Sequence, residues 1–380
     1  MTKIDRIRCF MTRVDDRPRL LVSITTTDGL TGWGEAYNHG PDLALAPVID
    51  WLAHQFAGED ATRVTYLNQK LLQHCRFPPG ALGLAAIAAI DHALWDIAAK
   101  ALDVPVYRLL GGNVRDRVEV YCGVYTAPDV GETIDIVTRL RATAGYRAFK
   151  LSPYRRNPHA GRWGVTCASA AHWFGAIREA LPEELEFAFD AHAMIFEPIR
   201  AVQLAQALAP YDPLFLEEPI RPEHIPAWTA LKSKVAIPIA TGECLYNRFE
   251  FLSLLAAQGA DIVQPDIAVV GGLTEMRRIA DLADAHYVSV MPHNPMGPLA
   301  TAHNVHFAAA QTNFRLLEYR PPHHAPWAVD PYEPVDGYLG LRPDRPGWGI
   351  EIDETALETS GYLHWERRVE TRADGSTTYP

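Results

Sequence analysis

The chain has 380 residues, 48% hydrophobic and 21% charged, a balance that supports a sizeable buried core and excludes wholesale disorder. Its formal net charge of −11 argues against nucleic acid as the main partner, because phosphate binding needs clustered Lys and Arg. The five cysteines, Cys9, Cys75, Cys122, Cys167 and Cys244, form no CxxC pair; with no visible signal peptide and no uncharged apolar run near ~18 residues, they point to reduced thiols in a cytoplasmic protein without a membrane span.

Residues 1–37 read as strands. Arg19 to Thr27 is rich in β-branched residues, Asp28-Gly29 is a hairpin signal, and Leu30 to Glu35 supplies the return strand. Residues 41–75 read as helices. After Pro78-Pro79-Gly80, Ala81 to Leu102 repeats Ala, Leu and Ile at helical spacing, interrupted by Asp91, His92, Asp96 and Lys100. The first 120 residues are therefore expected to form a small α+β domain. From Val118 strands and helices alternate. Val118 to Tyr125 and Ala148 to Leu151 are the first two strands, and residues 153–167 form a polar insertion expected to act as a lid or binding loop.

Six further strands end in polar residues. Leu185, Phe187 and Phe189 alternate toward Asp190 and His192, which, two residues apart, are expected to project side by side from the strand end. Later strands end at Glu217, Glu243, Asp266, His293 and Glu318, at steps of 27, 26, 23, 27 and 25 residues from Asp190. Eight strand–helix units over about 200 residues favour a closed parallel barrel over an open sheet, with polar groups gathered at the strand ends. No GxGxxG follows a strand, so a dinucleotide fold is poorly supported, and Gly271-Gly272 is expected to open a helix. From Pro321 the chain is rich in Pro, Gly and Trp.

Three acids from consecutive strands, Asp190, Glu217 and Glu243, offer hard oxygen ligands with no cysteine partner, a set suited to Mg²⁺ rather than zinc. Asp266 can hold the Nδ1–H of His293 and leave Nε2 as a base. His192 is either catalytic or a neighbour of the metal, and Glu318 either binds substrate or forms a strand-end salt bridge. Cys244 is expected to face away from the site.

These residues together resemble the enolase superfamily, mandelate racemase subgroup, over nearly the whole chain. The resemblance is carried by Asp91-His92-Ala93-Leu94-Trp95-Asp96, Lys100, Pro105 and Leu109-Leu110-Gly111-Gly112, by the three acids, by the Asp266–His293 pair and by Glu318. It implies a (β/α)7β TIM-like barrel at residues 121–320 under an N-terminal α+β capping domain, residues 1–120, completed by 321–380. It also implies assembly into a homo-oligomer. Racemases of the subgroup carry a second lysine base two residues after the first; here Lys150 is followed by Ser152, which counts against racemisation. Asp190-x-His192 with Glu217-Glu218-Pro219 and Gly242-Glu243 resembles the galactonate dehydratase branch. There the histidine at the position of His293 removes the proton α to a carboxylate, and that at His192 helps the 3-hydroxyl leave.

The expected activity is that of a Mg²⁺-dependent sugar acid dehydratase giving a 2-keto-3-deoxy acid. The alternatives are an epimerase, racemase or cycloisomerase of the same superfamily, and a metal-bound sugar acid binder without turnover. Lys150, Ser152 and Arg155 are the expected substrate contacts. Specificity is expected in Val14-Asp15-Asp16-Arg17, from His39 onward, and in 153–164, where Arg155, Arg156 and Arg162 face either a diacid's far end or solvent.

Overall fold

The computed structural model describes residues 2–37, 40–124, 126–127, 129–154, 158, 161–321, 324–365, 371 and 374–377. Three antiparallel strands open the chain: β1 (Ile4–Val14), β2 (Arg17–Thr26) and β3 (Thr31–Ala36), in that order in the sheet. The β2–β3 hairpin turns at Asp28-Gly29, where Gly29 takes φ 89, a conformation that costs a residue without Cβ little. Helices α1 (Leu45–Ala53), α2 (Val64–His74) and α3 (Gly80–Lys100) pack beside it, and a short α4 (Val106–Leu109) leads onward. β3 lies directly on α3. A Cβ on Gly34 would sit 1.9 Å from Ala89 O, and one on Gly32 2.1 Å from Ala93 O, so the contact requires glycine at both.

The polar residues that interrupt α3 are stitches. Asp91 accepts from Asn68 Nδ2 at 2.8 Å and from Thr274 N and Oγ1 at 3.0 and 2.6 Å. Asp96 accepts from Trp33 N at 2.9 Å, Trp348 N at 3.1 Å and Lys100 Nζ at 2.8 Å. α3 is long and apolar enough by composition to cross a membrane, but 89% of its most apolar window is buried as a core helix.

Eight parallel strands follow: β4 (Arg117–Gly123), β5 (Ala148–Leu151), β6 (Glu186–Asp190), β7 (Leu216–Glu217), β8 (Ile239–Thr241), β9 (Ile262–Val263), β10 (Ser289–Val290) and β11 (Leu317–Tyr319). Between them run α5 (Val130–Ala144), α6 (Trp163–Ala180), α7 (Pro198–Leu208), α8 (Ile225–Lys232), α9 (Arg248–Ala256), α10 (Leu273–Ala285) and α11 (Pro298–Ala310). The hydrogen-bonded order is β10-β9-β8-β7-β6-β5-β4-β11. A parallel bridge from Val290 to Phe314, just before β11, closes the ring. The fold is thus a (β/α)7β barrel beside an α+β unit. As expected, Gly272 opens a helix, as the N-cap of α10. The polar insertion is shorter than 153–167, because α6 already begins at Trp163, whose indole donates to Arg200 O at 3.1 Å.

The barrel interior explains the position of the site. Ala148, Ala188, Phe215, Ile262, Met291 and Leu316 belong to one buried apolar cluster. Strand alternation places the second residue after each on the same inward face. Those residues are Lys150, Asp190, Glu217, Gln264, His293 and Glu318. The apolar plug fills the barrel, and the polar groups form the layer above it at the carboxyl ends of the strands.

The C-terminal segment contributes β12 (Ala328–Val329), β13 (Tyr338–Gly340), β14 (Glu351–Ile352) and α12 (Glu354–Thr359). β13 pairs antiparallel with β4. Trp348 is buried and donates through Nε1 to Trp33 O and His92 O, and Arg8 of β1 pairs with Glu354 and Glu358 of α12. The segment that carries Trp348 and α12 therefore packs on the N-terminal unit.

Candidate active site

Asp190, Glu217 and Glu243 come from the ends of β6, β7 and β8, with ligand oxygens all within 4.8 Å of one another. Glu243 reaches the layer past Gly242, whose φ of 139 bends the chain at the end of β8. Lys150 of β5 projects into the same space. Its Nζ lies 2.6 Å from Glu217 Oε1, 2.8 Å from Glu318 Oε1 and 3.4 Å from Asp190 Oδ2. Burial opposes the lysine charge, but Glu217 and Glu318 outweigh it and hold the ammonium protonated. Burial pushes the Glu217 carboxyl well up, against the pull of Lys150 and with the repulsion of Asp190, Glu318 and Glu243. Four carboxyl groups around one lysine make this layer strongly acidic, and the crowding that raises Glu217 is relieved by a bound cation. An all-oxygen, net-negative set of this kind fits a divalent cation held by Asp190, Glu217 and Glu243.

His293 follows β10. Its Nδ1 stands 2.7 Å from Asp266 Oδ2 and its Nε2 3.3 Å from Glu243 Oε2. Asp266 also accepts from Ala268 N at 2.8 Å. A carboxylate only accepts, so this contact assigns the proton to Nδ1 and turns Nε2 toward the acids. Burial lowers the affinity of His293 for a second proton, but Glu243 and the Asp266 hydrogen bond outweigh it and push its pKa up to about 10. A cation on Glu243 would oppose that shift.

His192 reaches the site differently from the expectation. β6 ends at Asp190, and His192 and Ala193 turn with φ 51 and 54, so strand alternation does not extend to His192. The turn folds the imidazole back, placing Nε2 3.1 Å from Asp190 Oδ2 while the backbone N–H donates to Asp190 Oδ1 at 2.7 Å. Its side chain is 58% exposed, at the opening of the site.

Glu318 is held at both oxygens, by Lys150 Nζ and by Asn294 N at 2.9 Å. Ser152 spends its hydroxyl on Tyr154 O at 2.7 Å and its N–H on Thr126 Oγ1 at 3.0 Å, which fixes the start of the insertion. Arg155 and Arg156 lie outside the described residues, as does His39; Arg162 is the exposed N-cap of α6. A cavity of about 360 Å³ lined by Ser152, Tyr154, Trp173 and Phe189 lies between β5 and α6, and none of the three acids lines it. Cys244 has a thiol that burial and then Glu218 push up, away from reactivity.

The sequence reading assigned no role to Gln264, Asn294 or Glu218. Gln264 donates to Glu217 Oε2 at 2.7 Å. It shares the strand-end phase of Asp266, and that phase was the signal available. Glu218, at φ 39, is buried behind the acids and accepts from Thr241 Oγ1 and Gly242 N, which braces the bend before Glu243.

Residues 2–111 match the mandelate racemase/muconate lactonizing enzyme N-terminal domain, and residues 132–356 match the enolase C-terminal domain-like family. The chain belongs to the enolase superfamily, mandelate racemase subgroup. It is 35% identical over 368 residues to a D-galactonate dehydratase of Xanthomonas oryzae pv. oryzae, covering 94% of this chain and 95% of that one. A second D-galactonate dehydratase, from Ralstonia nicotianae, is 34% identical at the same coverage. Among solved structures, an Agrobacterium radiobacter enolase with bound sodium and L-malate, provisionally assigned as a galactarate dehydratase, matches with TM-score 0.97 and 59% identity over 100% of both chains. The 3,6-anhydro-D-galactonate cycloisomerase of Zobellia galactanivorans matches at TM-score 0.84 and 28% identity, over 94% of this chain and 99% of that one. These dehydratase relatives make this member of the superfamily a hydro-lyase.

Proposed function

We propose that the chain is a Mg²⁺-dependent sugar acid dehydratase and that its substrate is a sugar diacid. The observation that carries the reading is the placement of two histidines on different members of one carboxylate triad, His293 against Glu243 and His192 against Asp190. The diacid is supported by the 59% identity to the Agrobacterium protein, against 35% to the monoacid dehydratases.

The proton α to a carboxylate is weakly acidic because its loss builds a second negative charge. Mg²⁺ on Asp190, Glu217 and Glu243 would supply positive charge where that charge develops. Lys150, kept cationic by Glu217 and Glu318, adds a fixed charge beside it. His293 Nε2 takes the C2 proton, and Asp266 stabilises the imidazolium that results. The C2 electron pair then forms the C2–C3 double bond as the C3–O bond breaks. His192 donates a proton so that water, not hydroxide, leaves. The enol product tautomerises to the 2-keto-3-deoxy acid.

Ser152 cannot act as a base, and its hydroxyl is engaged by the loop, which weighs against a two-base epimerase. The test is a panel of monoacid and diacid sugars, incubated with Mg²⁺ in deuterated buffer and followed by NMR. Keto acid from a diacid is the expected result; C2 epimer without keto acid would replace the dehydratase reading with the epimerase.

A further inference from the structure

His192 owes its position to a turn that its own sequence does not favour. Ala191 O accepts from Met194 N at 3.1 Å across His192 and Ala193, and both central residues take positive φ, 51 and 54. Turns of this hand are usually built from glycine and asparagine, because a Cβ in the left-handed region crowds the backbone carbonyl. Histidine and alanine persist there only where neighbouring groups hold them. The end of β7 supplies part of that hold. Ala191 N donates to Glu217 O at 3.0 Å and Ala193 N to Glu218 O at 2.7 Å. Both of these contacts act on N–H groups of the turn.

The carbonyl side is held from the loop after β5. The phenol of Tyr154 donates to Ala191 O, the same oxygen that closes the turn. The peptide joining Ala191 to His192 is planar, so fixing its two polar ends fixes the whole plane. Its oxygen is held by Tyr154, and its N–H donates to Asp190 Oδ1 at 2.7 Å. The direction in which His192 leaves the chain is set by that plane. Tyr154 is partly buried against the core and is anchored in turn. Ser152 Oγ donates to Tyr154 O at 2.7 Å, and Ser152 is tied to the loop after β4, its N–H donating to Thr126 Oγ1 at 3.0 Å and its carbonyl accepting from that hydroxyl at 3.3 Å. One chain of contacts thus runs from Thr126 through Ser152 and Tyr154 to the peptide that carries His192. Position 152, where a racemase would hold its second base, is here an anchor in that chain.

We propose that Tyr154 is the positioning residue for His192, and that the start of the polar insertion thereby favours loss of water over return of the proton to C2. The proposal rests on the dehydratase reading, in which His192 protonates the leaving hydroxyl. Tyr154 acts through the orientation of one peptide and not on the substrate. With the acid misaligned, the C3–O bond breaks more slowly, and the electron pair left at C2 takes a proton back from His293 more often. The substrate is then returned instead of dehydrated.

The test removes one oxygen. Tyr154→Phe keeps the ring and deletes the donor. With galactarate and Mg²⁺ in deuterated buffer, keto acid formation should fall by about 3–10-fold, the worth of one hydrogen bond, while deuterium at C2 of recovered galactarate does not fall. Ser152→Ala, one contact further back, should shift the same ratio in the same direction by less. Tyr154→Phe should add less than about twofold in the His192→Asn background, because the residue it positions is gone. A second readout needs no turnover. Amide hydrogen exchange at His192 and Ala193, followed by mass spectrometry, should speed up by about 3–10-fold in Tyr154→Phe. Unchanged amide exchange would overturn the positioning role. Faster amide exchange with an unchanged ratio of C2 deuterium to keto acid would overturn the effect on elimination. Equal loss of both products, or effects that multiply in the double variant, would overturn it too. Faster amide exchange in the variant, with galactarate left untouched by the wild type, would sink the dehydratase reading for this substrate and keep the hold of Tyr154 on the turn.

Discussion

His293 and Asp266 meet at 2.7 Å through Nδ1, and this contact turns the opposite ring nitrogen to within 3.3 Å of Glu243. Asp266 is 1% exposed and also accepts from Ala268 N, so the protein, not solvent, sets its position. Asp266→Asn keeps the size but offers an amide that can donate to Nδ1. The imidazole is then free to carry its proton on Nε2, where it cannot act as a base. The expected loss in kcat is about 10²–10⁴-fold, with metal affinity nearly unchanged, measured by steady-state kinetics and calorimetric metal titration. A kcat within a factor of two of wild type would remove His293 from the proton-transfer role.

His192 separates elimination from enolisation. It rests on Asp190 and is more than half exposed, so it is placed to meet a leaving group at the mouth of the site. His192→Asn should leave C2 exchange partly intact, because His293 still takes the proton. Dehydration should fall by about 10²–10⁴-fold, the usual worth of a positioned acid. Substrate recovered from deuterated buffer should carry deuterium at C2. Exchange lost in His192→Asn and retained in His293→Asn would reverse the two roles.

Metal dependence follows from charge. Glu217 is fully buried, and the single ammonium of Lys150 is shared among Glu217, Asp190 and Glu318. Chelation should abolish turnover and Mg²⁺ should restore it. Glu217→Gln should weaken Mg²⁺ binding and turnover together, and it leaves one acceptor oxygen where Lys150 and Gln264 now use two. Full activity in excess chelator, with metal removal confirmed, would end the assignment of the three acids.

Much of this site was legible in the sequence for one reason. Strand alternation is rigid, so an apolar residue inside the barrel predicts a group on the same face two residues later, as Ala148 does for Lys150 and Ala188 for Asp190. The rule fails where the strand stops. His192 lies beyond the end of β6 in a left-handed turn, and its contact with Asp190 comes from that turn and not from alternation. Lys150 among three carboxylates depends on closure of the ring, which brings β11 beside β4 and Glu318 across from β5. The seat of Trp348 on β3 and α3 was least legible, because the segment that carries it packs on the N-terminal unit with no periodic pattern to mark its path.

The contact of β3 with α3 is testable at Gly34. A methyl group there would overlap Ala89 O at 1.9 Å, and backbone on both sides leaves no side chain able to give way. Gly34→Ala should destabilise the protein by about 1–3 kcal/mol or more, the usual range for overpacking. Gly29→Ala meets nothing within 4 Å and suffers only its positive φ, so it should cost less. Denaturant unfolding of both variants gives the comparison; equal stabilities would mean the sheet and helix can separate without cost.

The last prediction concerns three buried histidines far from the chemistry. The rings of His92 and His303 lie 3.9 Å apart and that of His303 4.4 Å from Trp348, with His306 edge-on to the same indole at 5.4 Å. All three are essentially inaccessible. Burial lowers the pKa of His92 to about 3 and of His306 to about 4, and burial with the neighbouring histidines lowers that of His303 well below its ordinary value. The folded protein therefore keeps these rings neutral below pH 6.5, while the unfolded chain protonates them. Their contribution is present above about pH 6.5 and is lost as pH falls, up to about 2 kcal/mol per histidine at pH 5. The buried acids Asp91 and Glu218, pushed up by burial to about 7 and about 8, act with the opposite sign, since they stay protonated in the fold while the unfolded chain releases those protons. The total slope of stability with pH thus mixes both, and a single-residue comparison is needed to separate them. His303→Gln removes one titrating ring without adding a charge. Between pH 7 and 5 its stability, measured by denaturant unfolding, should fall less steeply than that of wild type, by about one proton's worth, or ~1.4 kcal/mol per pH unit below pH 6. Parallel curves for the two proteins would show that His303 already carries its proton in the folded state.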